Sequence, residues 1–286
     1  MINPWIEAMR LRTLPVSVAG VVMAVGYAVA DGVFRPLPAV LCLLFAVLAQ
    51  IASNFANEYY DYRDGLDKAG RDGPRRGVTE GDITPGAMKR ATYVTLLLAC
   101  VVGCTLIYWG GWWLIGAGVL IALGVVAYSA GPFPLSRNCL GEVAVMLFFG
   151  IIPVNLTYYL QSYFFTFDVF EGSLAMGFMI ANVLIVNNYR DADDDASVGK
   201  KTLAVVFGRK FASTLYLFNG FLAVICMWGV LKHCQLIAGV YIVIHLILWK
   251  FLDSHRGPTL NPVLGMTAML IFLFALSFCL WAVATR

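Results

Sequence analysis

Residues 37–57 read LPAVLCLLFAVLAQIASNFAN, and the charged stretch EYYDYRDGLDKAGRDGPRR follows directly at 58–76. The first run contains no Asp, Glu, Lys or Arg, and about 20 apolar residues are enough for a helix to cross the hydrocarbon core of a bilayer. The abrupt change in composition marks the point where such a helix leaves the membrane. This pattern predicts a membrane-spanning helix that ends in a cluster of charged side chains.

The composition of the whole chain is that of a protein with several such helices. Its 286 residues are 60 % hydrophobic and only 13 % charged, whereas soluble domains are typically about 25 % charged. So little charge excludes a soluble enzyme, a disordered chain and a secreted disulfide scaffold. The seven cysteines form no CxxC motif, and we interpret them as small buried side chains. The sequence predicts an all-α polytopic membrane protein.

Nine runs in the sequence are long and apolar enough to be membrane helices. They lack the alternation of apolar and polar residues that barrel strands show, so a β-barrel is excluded. The nine predicted spans are 13–30, 37–57, 91–109, 112–130, 142–161, 173–188, 212–232, 234–250 and 262–284.

The distribution of Lys and Arg orients these spans, because basic residues are enriched in cytoplasmic loops. With the N-terminus in the cytoplasm, 17 of the 20 basic residues fall on the cytoplasmic side, and only Arg35, Lys232 and Arg286 do not. We therefore expect a multi-pass protein of the inner (cytoplasmic) membrane. Its N-terminus and the charged loops 58–90 and 189–211 would face the cytoplasm.

The acidic residues are concentrated in the same two loops. Segments 58–90 and 189–211 contain 11 of the 17 acidic residues. The two clusters also resemble each other, since NEYYD at 57–61 and NNYRD at 187–191 carry Asn, Tyr and Asp at equal offsets. This similarity suggests an ancient duplication of a helical unit.

Each cluster repeats oxygen-bearing side chains at intervals of three or four residues, which places them on one face of a helix. Such oxygen ligands suit Mg²⁺, which proteins usually bind through one or two carboxylates together with substrate phosphates. We therefore predict a magnesium site at the membrane boundary. The side chains in these two stripes are Asn57, Asp61, Asp64, Asn187, Asp191 and Asp195.

Basic residues close to both stripes have the chemistry to bind a diphosphate. Arginines contact phosphate oxygens through two N–H groups at once, and lysines act as point charges. These residues are Arg71, Arg75, Arg76, Lys200 and Lys201. The alternative is a solvated charged cap that only sets topology, and an ordinary solvated position fits Asp72, Glu80, Asp82, Asp193 and Asp194.

Aromatic residues make up 14 % of the chain, and several fall in the central spans. An aromatic-lined cavity below a metal–diphosphate site would hold a polyisoprenoid tail and stabilise a developing carbocation. The alternative is that these side chains face lipid or form interfacial belts. The central aromatic residues are Tyr128, Phe148, Phe149, Tyr158 and Tyr159.

The two acidic clusters resemble the paired aspartate-rich motifs of the UbiA superfamily of intramembrane prenyltransferases. The first similar segment is NEYYDYRDGLD at 57–67, and the second is DADDD at 191–195 with GKKTLA at 199–204. Segments 73–84 and 131–142, together with NNYRD, resemble the enzymes that prenylate 1,4-dihydroxy-2-naphthoate in menaquinone synthesis. The resemblance implies a UbiA-type bundle with cytoplasmic cap loops, and one domain over 1–286 with motifs near 54–90 and 187–211.

The resemblance also implies roles for individual residues. It makes Asp61, Asp67, Asp191 and Asp195 the catalytic aspartates that hold Mg²⁺, with Asn57 in support. Glu58 stands where the family usually has Asp and would reach the metal through a longer side chain. Gly65 stands where many members have their second Asp, so Asp64 and Asp67 are both candidates, and the subfamily pattern favours Asp67. The candidate diphosphate-binding residues are Arg12, Arg71, Arg75, Arg76, Lys200 and Lys201.

The activity implied by the resemblance is Mg²⁺-dependent transfer of a polyprenyl group from polyprenyl diphosphate to 1,4-dihydroxy-2-naphthoate. Carbon dioxide would be lost and demethylmenaquinone formed. The partners would be these two substrates and membrane lipid, with no nucleic acid. Two alternatives stay open, a different aromatic acceptor (4-hydroxybenzoate or homogentisate) and a membrane transporter. A transporter typically carries lone ionisable residues in mid-span, whereas the acids here cluster at one surface.

Overall fold

The computed structural model describes residues 3–67, 73 and 75–286. Over this part of the chain the protein is almost entirely helical, and the only strand-type pairing is an isolated parallel bridge between Asn138 and Lys201. The nine long helices are α1 (Leu14–Ala30), α2 (Pro36–Arg63), α3 (Pro85–Gly110), α4 (Leu114–Ser129), α5 (Gly141–Ser162), α6 (Phe167–Arg190), α7 (Gly208–Cys226), α8 (Gln235–Ser254) and α9 (Asn261–Ala284). Short helices cover Pro4–Met9, Ala192–Ser197, Leu203–Val206 and Trp228–Leu231.

Each predicted span corresponds to one of these long helices. Among the described residues, seven segments are long and apolar enough to cross a membrane: Pro4–Ala30, which contains α1; α2; α3; α5; α6; α8; and Gly257–Ala284, which contains α9. Helix α4 has only 16 residues, and α7 is not among the seven. The all-helical fold class predicted from the sequence is confirmed. The described residues form nine long helices, and seven segments are long and apolar enough to cross a membrane.

The helices that carry the acidic motifs extend beyond the predicted apolar runs. Helix α2 continues past 57 to Arg63, and α6 continues past 188 to Arg190. Apolar length does not set these ends, because a helix can project from the membrane where polar side chains surround it. The turn that follows α2 contains Gly65, whose positive φ of 70° is unfavourable for other residues. Glu58 and Asp61 are therefore helical residues.

The main hydrophobic core lies among α1, α6, α7, α8 and α9. Its largest fully buried side chains include Met23 of α1, Met179 of α6, Tyr216 of α7 and Phe278 of α9. The helices α2, α3 and α4 contribute only small separate clusters of buried residues to the packing. This uneven packing leaves open space on the α2–α4 side of the bundle.

Helix α5 contains a π-helical segment at Met146–Ile151. Pro153 follows this segment and cannot donate the backbone hydrogen bond that a regular turn requires, which explains the wider turn. In the same region Gly150 lies against Gly177 of α6, where a Cβ on Gly150 would be 2.4 Å from the Gly177 Cα. Close approach through small residues is typical of packed membrane helices. The sequence predicts an ordinary helix here, and the π turn is a departure from it.

Candidate functional site

The two acidic motifs meet at one end of the bundle. Lys200 Nζ donates to Asp61 Oδ2 at 3.1 Å and lies 3.5 Å from Asp195 Oδ1. The three side chains are nearly buried, with exposed fractions of 11 % for Lys200, 3 % for Asp61 and 9 % for Asp195. Asp61 belongs to the last turns of α2, and Asp195 lies on the short helix after α6. A single ammonium group thus joins two carboxylates from the two motifs.

Arg137 neutralises the other oxygen of Asp61. It lies in a single helical turn at Leu135–Arg137 and donates to Asp61 Oδ1 at 3.1 Å and to Asp64 Oδ2 at 2.6 Å. Partial burial by itself raises the pKa of Asp64, but hydrogen bonds from Arg63 and Arg137 outweigh it and hold that pKa below its usual value. Asp64 therefore lies at the outer edge of the cluster as a charged partner of arginine.

Asn57 connects the aspartates to two further cations. Its Oδ1 accepts from Arg10 Nη2 at 2.7 Å and from Arg76 Nη2 at 3.1 Å, and its Nδ2 donates to Asp61 at 3.3 Å. Arg76 Nε lies 3.3 Å from Asp67 Oδ2. Arg76 is buried, and its Nη1 has no hydrogen-bond partner among the described residues. A buried donor without an acceptor is costly, and an anion bound here would satisfy it.

Asp191 is held by the residue beside it. Arg190 donates from Nε to Asp191 Oδ1 at 2.6 Å and from Nη2 to Oδ2 at 2.9 Å. The same guanidinium donates to Asn187 Oδ1 at 2.8 Å and to Asn261 Oδ1 at 2.9 Å, at the start of α9. This bidentate arrangement fixes the orientation of the carboxylate. The structure thus gathers Asn187 and Asp191 around Arg190.

Glu58 is buried, and its side chain contacts the loop that contains Gly77 and Val78. Its Oε1 accepts from the backbone N–H of Val78 at 3.0 Å, and Gly77 packs close to the same oxygen. Glu58 therefore anchors the loop that contains Arg76. Its role as a metal ligand stays a prediction.

The predicted diphosphate-binding residues fall into different environments. Arg76 and Lys200 lie in the cluster, whereas Arg75 is half exposed and pairs with Asp82 at 2.5 Å and more loosely with Glu7. For the remaining three candidates, Arg12, Lys201 and Arg71, the described part of the structure shows no side chain in the cluster. Arg12 and Lys201 are exposed on the surface, and Arg71 lies outside the described residues.

Sequence reasoning missed Arg10, Arg137 and Arg190 as members of the site. In the sequence, Arg10 and Arg137 are recognisable only as basic residues that contribute to the membrane orientation. No spacing rule links either of them to Asp61. The only available signal was that the distribution of basic residues predicts the same side of the membrane for them. The bridge between Asn138 and Lys201 explains the arrangement, since Lys201 N–H donates to Arg137 O at 3.1 Å. This contact holds Arg137 and Lys200 beside the same aspartate.

The donor set fits a divalent cation. Among the described residues, no three His, Cys, Asp or Glu side chains are already arranged as a metal site, and Lys200 lies between two carboxylates instead. The ammonium shows that a cation is accommodated between Asp61 and Asp195. Buried oxygen ligands with phosphate-binding cations nearby match the preference of Mg²⁺. Asp61 and Asp195 could hold such an ion at the position that the Lys200 ammonium occupies.

An apolar cavity of about 340 Å³ lies next to this cluster. On α2 its lining begins at Ser53, one turn from Asn57, and continues to Cys42, roughly 16 Å further along the helix. Tyr128, Phe148 and Phe149 line the cavity, but most of the wall is aliphatic. The other two central aromatic residues do not belong to this wall, because Tyr158 donates to Asp31 and Tyr159 packs against Trp113 and Phe165.

A second cavity of about 580 Å³ adjoins the first. The two share Ala117, Ile152 and Leu156 as lining residues. Phenylalanines at the start of α6 and in the loop before it form part of its wall. The polar cluster is thus followed by apolar space that extends through the bundle.

The structure shares its fold with solved proteins. A UbiA homologue from Archaeoglobus fulgidus bound to GPP and Mg²⁺ matches with a TM-score of 0.67 at 19 % identity, over 96 % of this chain and 99 % of that one. The apo structure of a UbiA homologue from Aeropyrum pernix K1 matches with a TM-score of 0.70 at 13 % identity, over 90 % and 96 % of the two chains.

Two curated proteins named 1,4-dihydroxy-2-naphthoate octaprenyltransferase are similar in sequence. The protein from Escherichia coli (strain K12) is 36 % identical over 212 residues, which are 71 % of this chain and 68 % of the relative. The protein from Mycobacterium tuberculosis is 33 % identical over 281 residues, which are 96 % of this chain and 94 % of the relative. Residues 19–262 match the UbiA prenyltransferase family. With a match of this extent and relatives at these identities, the chain belongs to the UbiA prenyltransferase family.

Proposed function

We propose that this prenyltransferase moves a polyprenyl group from polyprenyl diphosphate to 1,4-dihydroxy-2-naphthoate in a Mg²⁺-dependent reaction, with loss of carbon dioxide. The observation that carries the proposal is the cluster of Asp61, Lys200 and Asp195 next to an apolar cavity. The cluster suits a metal-bound diphosphate, and the cavity suits a hydrocarbon chain. The names of the curated relatives support naphthoate as the acceptor.

The residues of the cluster divide the work of binding and ionising the diphosphate. Arg10, Arg76 and Lys200 bind its oxygens, and Lys200 leaves the carboxylates as it does so. Bound Mg²⁺ supplies positive charge that stabilises the departing diphosphate. The apolar cavity keeps water away from the allylic cation, and the Tyr128 ring offers it an electron-rich face.

The transfer is balanced without any further reactant. The C–O bond to the diphosphate breaks and its electron pair leaves with the diphosphate, while the ring carbon that carries the carboxylate donates a pair to the allylic carbon. Loss of carbon dioxide then returns the electron pair of the broken C–C bond to the ring. The product is a prenylated naphthoquinol, whose oxidation gives demethylmenaquinone.

The same proposal places the protein in the inner membrane with the aspartate cluster on the cytoplasmic side. Its support is the concentration of Lys and Arg in the loops at that end. Arg137, Lys200 and Arg76 all belong to these loops. A water-soluble acceptor would then reach the site from the cytoplasm, and the prenyl chain would enter from lipid.

Purified protein in detergent should prenylate dihydroxynaphthoate when it is incubated with Mg²⁺ and a labelled polyprenyl diphosphate. The test offers dihydroxynaphthoate, 4-hydroxybenzoate and homogentisate together, and follows product and released carbon dioxide. We expect a decarboxylated, prenylated naphthoquinol whose formation EDTA abolishes. Prenylation of another acceptor would contradict the substrate. If folded protein releases no diphosphate with any acceptor, the result favours the alternative of a membrane transporter. Solute flux across liposomes that contain the protein would then test that alternative.

Filling the inner part of the cavity should select against long prenyl chains. Ala46 lines the cavity on α2, well below Ser53, and Ala46→Phe places a ring in the path of the chain. We expect KM for a long-chain polyprenyl diphosphate to rise about 10-fold, because each excluded part of the chain loses apolar contact. KM for geranyl diphosphate should stay within about twofold, since a short chain does not reach this depth.

The matched control is Leu98→Phe, which adds a ring to the exposed outer face of α3. This variant should leave both KM values unchanged. Equal changes for the short and the long substrate in Ala46→Phe would show that the cavity does not hold the prenyl chain.

A further inference from the structure

Glu142 is a buried carboxyl outside the cluster that would bind the diphosphate. It lies on the first turn of α5 with 7 % of its surface exposed. Asn188 of α6 donates from Nδ2 to Glu142 Oε1 at 2.8 Å. Asn188 itself lies within the second motif, directly beside Asn187. Glu142 is thus joined to the motif helix by an amide.

Within the described part of the chain, Glu142 has no cationic partner. Among the described residues no Lys, Arg or His side chain forms an ion pair or hydrogen bond with it, although Arg10, Arg76, Arg137 and Lys200 surround the aspartates nearby. Glutamine at this position would accept the same hydrogen bond from Asn188 without a buried charge. A buried carboxylate without a cation is costly, and within a membrane protein it indicates a function.

The position of Glu142 is at the junction between the polar cluster and the apolar cavity. Its neighbour Gly141 lies close to the Tyr128 hydroxyl, which would be 3.9 Å from a Cβ on that glycine. Tyr128 lines the cavity, and Asp61 and Asp195 belong to the polar cluster next to it. Ala144, two residues further along α5, also lines the cavity. Glu142 therefore lies between the helix of the second motif and the apolar cavity, at the end of α5 where the prenyl carbon would ionise.

We propose that Glu142 binds a ring hydroxyl of the aromatic acceptor and takes its proton during the transfer. A carboxylate repels a diphosphate but accepts a hydrogen bond from a phenolic hydroxyl, so its chemistry fits the acceptor. The inference rests on the proposed function, and it names the residue that orients the acceptor. Asn188 holds the Glu142 carboxylate in place.

The step conserves atoms and electrons. As the ring carbon bonds to the allylic carbon, the hydroxyl proton moves to a Glu142 carboxylate oxygen and the ring C–O group becomes a carbonyl. When carbon dioxide leaves, the electron pair of the broken C–C bond rebuilds the aromatic ring. The carbonyl oxygen then takes the proton back from Glu142. The carboxylate is restored, and no oxidant or reductant is needed.

The first test is Glu142→Gln in the full-length protein. We expect kcat/KM for the acceptor to fall about 100-fold, the size of a general-base contribution. Binding of geranyl thiolodiphosphate with Mg²⁺, measured by calorimetry, should be unchanged. Glu142→Asp should recover part of the activity, because it keeps the carboxylate. The matched control Asp193→Asn removes an exposed carboxylate that pairs with Arg209 and should behave like the wild type.

The second test asks whether Glu142 touches a hydroxyl. The two monomethyl ethers of dihydroxynaphthoate are compared with the parent compound by calorimetric binding to the wild type and to Glu142→Gln. We expect one ether to bind the wild type at least about 10-fold more weakly than the parent, and this difference should disappear in the variant.

Three results would overturn the inference. These are near-normal kcat/KM in Glu142→Gln, equal loss of acceptor and diphosphate-analogue binding, or ether effects that stay the same in the variant for both ethers. If Glu142→Gln does not fold, Glu142→Ala, which also lacks the carboxylate, takes its place in the ether comparison. Failure of the wild type to prenylate any acceptor would refute the proposed function separately, since the binding comparison does not require turnover.

Discussion

Asp61→Asn should lower turnover by at least about 100-fold while the protein still folds. The substitution keeps the shape of the side chain but removes one of the carboxylates proposed to hold Mg²⁺. Asp61 also forms ion pairs with Lys200 and Arg137. Loss of its negative charge therefore leaves both of these cations with less compensation. The measurement is turnover of labelled polyprenyl diphosphate over a Mg²⁺ titration, in which both maximal rate and apparent Mg²⁺ affinity should fall.

Asp193→Asn is the control, because Asp193 lies in the second acidic motif and has a very different environment. Its side chain is 88 % exposed and pairs with Arg209 at 2.9 Å, and the hydrogen bond from Arg209 lowers its pKa. Turnover should stay within about twofold of the wild type, as for an ordinary surface pair. Near-normal turnover in Asp61→Asn, or an equal loss in both variants, would contradict the assignment of Asp61 to the metal.

The different environments of Asp193 and Asp195 show what the sequence can predict about this site and what it cannot. Both residues belong to the run DADDD, and the pattern identifies the run as chemically important. The short helix Ala192–Ser197 buries Asp195 beside Lys200 and exposes Asp193. A linear pattern carries no information on which face of so short a helix will be covered, because the covering residue Lys200 comes from the following loop.

The fold was predictable because each long helix depends on a local property, the number of consecutive apolar residues. The ends of the helices were less predictable, since the last turns of α2 are polar and are stabilised by contacts with distant loops. Arg137 is the clearest case, because it reaches Asp61 only after the bridge between Asn138 and Lys201 has brought two loops together. The π turn in α5 likewise depends on how Pro153 is accommodated in the packed bundle.

The position of Lys200 between Asp61 and Asp195 leads to the second large effect. In the absence of Mg²⁺, Lys200→Ala leaves two nearly buried carboxylates without the cation that joins them, while the contact between Arg137 and Asp61 remains. Removing one partner of a buried ion pair costs about 3 kcal/mol. The metal-free variant should therefore unfold at a lower temperature than the metal-free wild type, in the same detergent.

Mg²⁺ should reverse much of this loss, because a divalent cation can take the place that the ammonium leaves. Mg²⁺ should thus raise the unfolding temperature of Lys200→Ala more than that of the wild type, in which Lys200 competes with the metal for the same oxygens. Turnover of the variant should nevertheless be low, since the diphosphate loses one of its cations. The matched control is Lys201→Ala, which removes an exposed neighbouring lysine and should leave metal-free unfolding unchanged. Equal stability and an equal Mg²⁺ response in Lys200→Ala and the wild type would show that the ammonium and the metal do not share a position.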